Sequence, residues 1–454
     1  MAKPSRLWLA VTFGVLLGAA YVTQAQRDGK IPEAELHRPT AAPDRIILTW
    51  SGDPAVTQSV TWRTSAAVER AVAQIAEAED GPGFTAKARD VPASTQAFHS
   101  DLGDARYHSV TFRELQPATL YAYRVGDGFN WSEWNQFRTA SATAAPLAFL
   151  YVGDAQNDIF SLWSRLVRQG FTIAPDARFL IHAGDLVNRG PRDAEWGEWH
   201  RAAGWINHSM VSLPVPGNHE YAGDAAAPRA LTAHWRPQFT LPENGPAGVE
   251  ESSYYVDVQG VRIVGLNSNE KRAEQAAWLD GVLANNPNRW TVLAFHHPIF
   301  STAKGRDNKE LRDLWQPIFD KYAVDMVLTG HDHTYGRTNL VTGAPTRSGK
   351  SGTVYVVSVS GPKMYNLDAA SDFMQRRAED TQLFQVIRIN GNRLSFESRT
   401  ARGVLYDAFE IEKRKGRANR LINRTPRTPE RRKAAPQPSP SARDASAHGP
   451  SPRG

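Results

Sequence analysis

Residues 147–156 read LAFLYVGDAQ: an unbroken apolar run that stops on a Gly153-Asp154 step. The same junction recurs down the chain. Residues 179–183 end in Gly184-Asp185-Leu186-Val187-Asn188, and 214–216 lead into Gly217-Asn218-His219-Glu220. Residues 291–295 end in His296-His297-Pro298, and 324–329 end in Gly330-His331-Asp332-His333. Amphipathic helical stretches fall between the runs, at 158–169, 192–206, 270–283 and 310–322. Strands alternating with helices predict an α/β layered domain over 145–412. Polar clusters at the carboxyl ends of its strands are the usual siting of an α/β active site. The glycine ahead of the Asp, Asn or first His in four clusters is expected to let the backbone turn sharply there.

Working outward, 43–141 reads differently. Short strands at 45–50, 59–64, 107–115, 120–126 and 134–139 are separated by turn residues, several alternating apolar and polar. About a hundred residues of this kind predict a β-sandwich. It gathers no set of His, Asp or Glu, so a structural or lid role is expected of it. Ahead of it, Lys3 and Arg6 precede an uncharged stretch from Leu7 to Gln26, and Thr23-Gln24-Ala25 offers a cleavage site. Residues 1–25 are therefore expected to be a signal peptide, with an uncleaved N-terminal membrane anchor as the alternative. Either places the body outside the cytoplasm, secreted or in the periplasm or cell envelope. Residues 413–454 are rich in Arg, Pro, Ser and Ala and are expected to form a disordered basic tail.

Composition narrows the function classes. The 454 residues include 13 Trp, 13 Tyr and 18 Phe, ample for a packed core and incompatible with a disordered or collagenous chain. The formal net charge is +6, but 412–454 hold twelve Lys/Arg and three Asp/Glu, which leaves the body at −3. A slightly acidic body argues against nucleic acid as its main ligand. With no cysteine, disulfides, thiolate nucleophiles and Cys-ligated zinc are excluded.

Each cluster alone is a weak signal, since Gly-Asp after a strand is often only a turn. All five in order are chemically coherent. Aspartate oxygens, an amide oxygen and imidazoles suit divalent or trivalent Fe, Mn or Zn. One aspartate can bridge two ions about 3.5 Å apart, the separation used for in-line phosphoryl displacement. Metals in such a site acidify a shared water and clamp phosphate oxygens.

On these five motifs, with Ser59-Val60-Thr61-Trp62 and 121–125 in the sandwich, the chain resembles the purple acid phosphatases among the calcineurin-like metallophosphoesterases. The resemblance spans 43–412. It implies a fibronectin type III-like sandwich followed by an α/β metallophosphoesterase domain of two packed mixed sheets flanked by helices. It implies two metal ions, with Asp154 and His333 on the first, Asp185 bridging, and Asn218, His296 and His331 completing the second. His219 and His297 are implied as catalytic, substrate-side residues rather than ligands. A protonated His219 would stabilise the phosphate and protonate the leaving alkoxide, the alternative being an imidazole that orients Asn218.

The chain departs from the family pattern at two places. Gln156 stands where the family has Gly, and where the wider superfamily often has a metal-binding His. Asn188 stands where the family has Tyr. Gln156 is thus a candidate ligand through a neutral amide oxygen, and Asn188-Arg189-Gly190 resembles the corresponding loop of protein Ser/Thr phosphatases. Tyr221 and Tyr335 lie beside ligand motifs and are candidates to replace the missing tyrosine; Arg337 is expected to be structural. Lys304 and Arg306, on the 301–308 loop, are candidate phosphate contacts alongside Asn218, His219 and His297. The function implied is a metal-dependent phosphomonoesterase in which a metal-bridging hydroxide attacks phosphorus in line on a phosphate ester. The alternatives are a phosphodiesterase on the same centre, or a non-enzymatic surface protein with a structural metal site.

Overall fold

The computed structural model describes residues 30–223, 228–346 and 349–433. The expected signal or anchor segment lies outside them, as does the chain beyond 433. Among the described residues no helix is long and apolar enough to cross a membrane.

An N-terminal β-sandwich is followed by an α/β domain with two mixed sheets. The sandwich pairs Asp44–Thr49, Gln58–Ser65, Gly103–Phe112 and Ser94–Ser100 in one sheet. Arg89–Pro92, Val72–Glu77, Leu120–Gly126 and Asn135–Arg138 form the other. Trp62, Ile75, Phe112, Tyr123 and Phe137 fill the space between them. The sandwich is clamped to the α/β domain by ions as well as apolar contact. Asp193 accepts two bonds of 2.7 Å from Arg45 and one of 3.1 Å from Arg63, all three side chains being buried.

In the α/β domain, Leu147–Val152, Phe179–Ala183 and Val211–Val215 run parallel at one side of a seven-stranded sheet. An antiparallel meander of Leu383–Asn390, Arg393–Thr400, Leu405–Arg414 and Arg417–Asn423 completes it. The second seven-stranded sheet has Val261–Gly265, Trp290–Ala294, Met326–Thr329 and Thr353–Val357 parallel at its centre, with antiparallel strands at both sides. The inner faces meet in one apolar core. Leu150, Ile181 and Leu213 come from the first sheet; Ile263, Val292 and Val356 come from the second. Tyr254 and Tyr151 stitch the sheets by donating to the carbonyls of Pro214 and Thr329. Helices Ser164–Ile173 and Asp193–Ala203 cover the first sheet, while Arg272–Ala284 and Lys309–Lys321 cover the second.

The C-terminal boundary expected at Glu412 is corrected. Arg417–Asn423 is a strand of the first sheet, and the chain stays attached as far as Lys433, whose N–H donates to Glu379. A sheet edge is held by backbone hydrogen bonds, so a segment poor in large apolar residues can still be ordered. Its polar side chains also find partners: Asn419 and Lys413 both reach the buried Asp325.

Candidate metal centre

The parallel register brings Val152, His182 and Pro214 to one level, so Asp154, Asp185 and Asn218 leave the first sheet side by side. His296 and His331 leave the facing sheet after Ala294 and Thr329, opposite them. The turns there are strained. Asp154, Asp185, His331 and His333 adopt φ of 55°, 53°, 72° and 50°. Such non-glycine left-handed residues cost about 1–3 kcal/mol each and cluster where function demands them. The expected reason for the preceding glycines is thereby revised: at Gly217 and Gly330 the need is room, since the positive φ falls elsewhere. A Cβ on Gly217 would stand 2.1 Å from Asp185 Oδ1, and one on Gly330 would stand 2.4 Å from Asp154 Oδ2.

Around His296 Nε2 the donor atoms crowd. Asn218 Oδ1 and His331 Nδ1 each lie 3.1 Å from it, and Asp185 Oδ2 lies 3.2 Å away. His296 Nδ1 faces the carbonyl of Ala183 at 2.9 Å; a carbonyl only accepts, so Nδ1 carries a proton and fixes the ring. On the other side, His333 Nδ1 donates to the Lys363 carbonyl at 3.0 Å, turning its Nε2 toward Gln156 Nε2 at 2.8 Å and Asp154 Oδ1 at 3.7 Å. Asp154, Asp185 and His296 present ligand atoms within 4.8 Å of one another, and so do His296, His297 and His331.

These residues fit metal ions. Burial drives the Asp154 carboxyl well above its usual range, and the neighbouring Asp185 charge pushes the same way. Despite its own burial, Asp185 is held below the usual range by His296. Burial would lower His296, but Asp185 raises it to about 9, so in the protein alone this imidazolium serves as counter-cation. Burial lowers the His333 imidazole to about 3, a neutral ring with a lone pair to give. Gln156 Oε1 is buried without a hydrogen-bond partner, as an amide oxygen awaiting a cation would be.

His219 and His297 flank this cluster. His219 Nδ1 donates to the Asn188 carbonyl at 2.6 Å, which leaves Nε2 on the Asp185 side, 3.9 Å from Oδ2. His297 Nδ1 meets Ser268 Oγ at 2.8 Å, and its ring lies 4.3 Å from that of His331. Arg306 donates to the His331 carbonyl at 3.0 Å, whereas Lys304 is exposed and its side chain is not drawn into the cluster. The two tyrosines offered as replacements are engaged elsewhere: Tyr221 bonds Glu270 and Asn267, and Tyr335 donates to Asp407 at 2.7 Å. Arg337 pairs with the same Asp407 through two bonds of 2.9 Å, a buried structural pair as expected.

Spacing did not reveal two carboxylates that hold the loops in place. Glu220 accepts the N–H groups of Asp185, Leu186, Val187 and Gly217 at 2.7–3.2 Å. Burial and the Asp185 charge raise it to about 7, against the pull of those donors. Asp332 accepts from the N–H groups of Thr302 and Ala303, fixing the start of the Arg306 loop. Both stand inside the sequence motifs, next to ligand candidates, and that adjacency was the signal available.

Two family models match the chain: the purple acid phosphatase N-terminal domain over residues 43–139 and the calcineurin-like phosphoesterase over 147–335. The chain belongs to the purple acid phosphatase family. Human acid phosphatase type 7 is 27% identical over 341 residues, covering 67% of this chain and 73% of that protein. An uncharacterised protein of Mycobacterium tuberculosis is 25% identical over 367 residues, covering 72% of this chain and 66% of its own length. The chain thus spans just under two thirds of that relative. Among solved structures, the purple acid phosphatase PPD1 from yellow lupin seeds superposes with a TM-score of 0.70 at 18% identity, covering 82% of this chain and 74% of that one. The purple acid phosphatase fold therefore extends over both the sandwich and the two-sheet domain.

Proposed function

We propose that the chain is a metal-dependent phosphohydrolase acting on phosphate monoesters. The carrying observation is the convergence on His296 Nε2 of Asn218, His331 and Asp185, with Asp154 and His333 beside them. Asp154, His333 and Gln156 would hold a first ion, Asn218, His296 and His331 a second, and Asp185 would be shared. Fe, Zn or Mn suits this oxygen and nitrogen set. When bound, such ions supply Lewis-acid stabilisation of the phosphoryl oxygens and an acidified water.

The chain's own residues do the rest. Asp185 is held by its backbone N–H to Glu220 and by the His219 N–H on Oδ1 at 3.0 Å, so its free oxygen is aimed before any ligand arrives. His219, anchored through Nδ1, offers a proton at Nε2 to the departing alkoxide. His297, oriented by Ser268, faces the same space and would bind the phosphate. The sandwich is read as a fibronectin type III-like module that braces the centre from behind through Asp193. The uncharged stretch from Leu7 to Gln26, after two basic residues, supports export from the cytoplasm.

The test is turnover of 4-nitrophenyl phosphate and bis(4-nitrophenyl) phosphate by the full chain loaded with metal. Faster monoester hydrolysis is expected. A preference for the diester would assign the centre to phosphodiester chemistry, and no turnover of either with metal bound would overturn the proposal.

A further inference from the structure

A cavity of about 310 Å³ lies at the seam between the segment ahead of the sandwich, the sandwich itself and helix Asp193–Ala203, and it shares no residue with the metal centre. Three of the side chains that line it are more than nine-tenths buried yet leave polar atoms unused. Arg45 spends its two terminal nitrogens on Asp193 and Tyr107, but its Nε–H has no partner. His200 donates from Nε2 to Gln238 Oε1 at 3.0 Å, and the Gln238 amide nitrogen donates to the His234 carbonyl, which fixes that orientation. His200 Nδ1 is therefore a bare lone pair, buried without a donor. His37 is seated against Gly197, where a Cβ would stand 2.2 Å from its Nδ1, and neither ring nitrogen has a hydrogen-bond partner among the described residues. Burial lowers both imidazoles below their usual range, so both rings are neutral near pH 7. Buried polar groups are normally satisfied, so three such residues around one space point to a guest. That guest must accept from Arg45 Nε and donate to His200 Nδ1. The cavity's two carboxylates are already engaged: Asp44 receives bonds of 2.8 and 2.7 Å from Arg63, and Glu133 faces His208 at 3.1 Å. The exposed guanidinium groups of Arg38 and Arg201 stand at the mouth and favour an anion over water alone.

We propose that this seam cavity is a binding site for hydrogen phosphate, an oxyanion that still carries an O–H. Its bare oxygens would accept from Arg45 Nε, from His37 and from the arginines at the mouth, and its hydroxyl would donate to His200 Nδ1. Sulfate has the same shape but no proton to give, so the lone pair of His200 makes the site select between the two. The choice of phosphate rests on the phosphohydrolase reading, in which the metal centre releases that ion as product.

The experiment is equilibrium dialysis of the metal-loaded full chain against labelled inorganic phosphate, with and without excess sulfate, alongside hydrolysis of 4-nitrophenyl phosphate. The wild type is expected to hold one phosphate that the excess sulfate does not displace. His200→Phe keeps an aromatic ring and loses both nitrogens; it should weaken that ion about tenfold, as loss of a hydrogen bond to a charged group does. His37→Phe, on the segment ahead of the sandwich, is the second variant and should weaken it in the same direction. Both variants should hydrolyse the monoester as the wild type does, because neither residue belongs to the centre. Phosphate binding that neither substitution changes would overturn the site and leave the hydrolase standing, with the cavity holding water only. Sulfate that displaces the substitution-sensitive ion as readily as phosphate does would overturn the assignment to hydrogen phosphate. A sulfate-resistant, substitution-sensitive phosphate in a chain that hydrolyses nothing would uphold the site while the phosphohydrolase reading falls.

Discussion

The Glu220 carboxylate receives the backbone N–H of Asp185 at 2.9 Å, so the residue two places after Asn218 holds the turn that carries the shared aspartate. Three further N–H groups, from Leu186, Val187 and Gly217, complete the clasp. One buried side chain thereby fixes the relative position of two candidate ligand loops that are over thirty residues apart.

Glu220→Gln should therefore damage metal binding more than folding. The amide keeps one acceptor oxygen but puts an NH2 where an N–H donor already points. Loss of an orienting partner of this kind typically lowers metal affinity about 10–100-fold. Metal dissociation constants and thermal melting measured on the same preparation separate the two effects. A large drop in melting temperature with unchanged affinity would make Glu220 a folding residue only.

His219→Ala should lower kcat, and less so for substrates with a good leaving group. The reason is that Nε2 is the atom left to carry the proton once Nδ1 is bound to Asn188. Comparing a nitrophenyl phosphate with an alkyl phosphate checks this. Equal losses on both would leave His219 as a residue that positions Asn218.

The buried cluster of Asp193 with Arg45 and Arg63 predicts a stability effect with a defined pH window. Burial opposes the Asp193 charge, but His234 and the two arginines hold its carboxyl well below the usual range. A group whose folded pKa is depressed stabilises the protein above its unfolded pKa of about 3.9, and that contribution is lost as pH falls below it. Asp193→Ala should cost about 3–5 kcal/mol at neutral pH, because it leaves the buried Arg45 cation without a carboxylate and Arg63 with Asp44 alone. The deficit relative to wild type should shrink as pH drops below about 4. Denaturant unfolding at pH 7 and pH 3 measures both; a deficit independent of pH would show that the charge is not what stabilises the interface.

Colour gives an independent check on the first-metal side. The family's visible band implies a tyrosinate on Fe(III), but Asn188 occupies that place, and the Tyr221 and Tyr335 hydroxyls are bound to other groups. The oxidised, iron-loaded protein should show no strong green-to-red absorption. If a band does appear, Tyr365, whose ring lies 4.7 Å from that of His333, is the residue to change to Phe.

Much of this was legible in the sequence. Apolar runs closed by Gly-Asp or a His pair marked the strands and their functional ends, because a buried strand and a metal ligand both restrict which residues can occur. Strands Arg89–Pro92 and Ser94–Ser100 escaped notice: both are largely exposed, so no apolar alternation marks them. Arg417–Asn423 escaped for a related reason, being held by its ladder and by polar partners rather than by burial. Glu220 and Asp332 were visible as letters but not as clasps, because their partners are backbone groups on loops distant in sequence.

The most direct measurement is metal stoichiometry by elemental analysis of the purified full chain and of Asp185→Asn, together with their monoester turnover. Two ions per chain are predicted for the wild type, with the variant losing occupancy and nearly all activity, since one carboxylate serves both positions. A wild type that holds a single ion when metal-replete, or an Asp185→Asn variant that keeps two ions and normal turnover, would contradict the shared-aspartate centre.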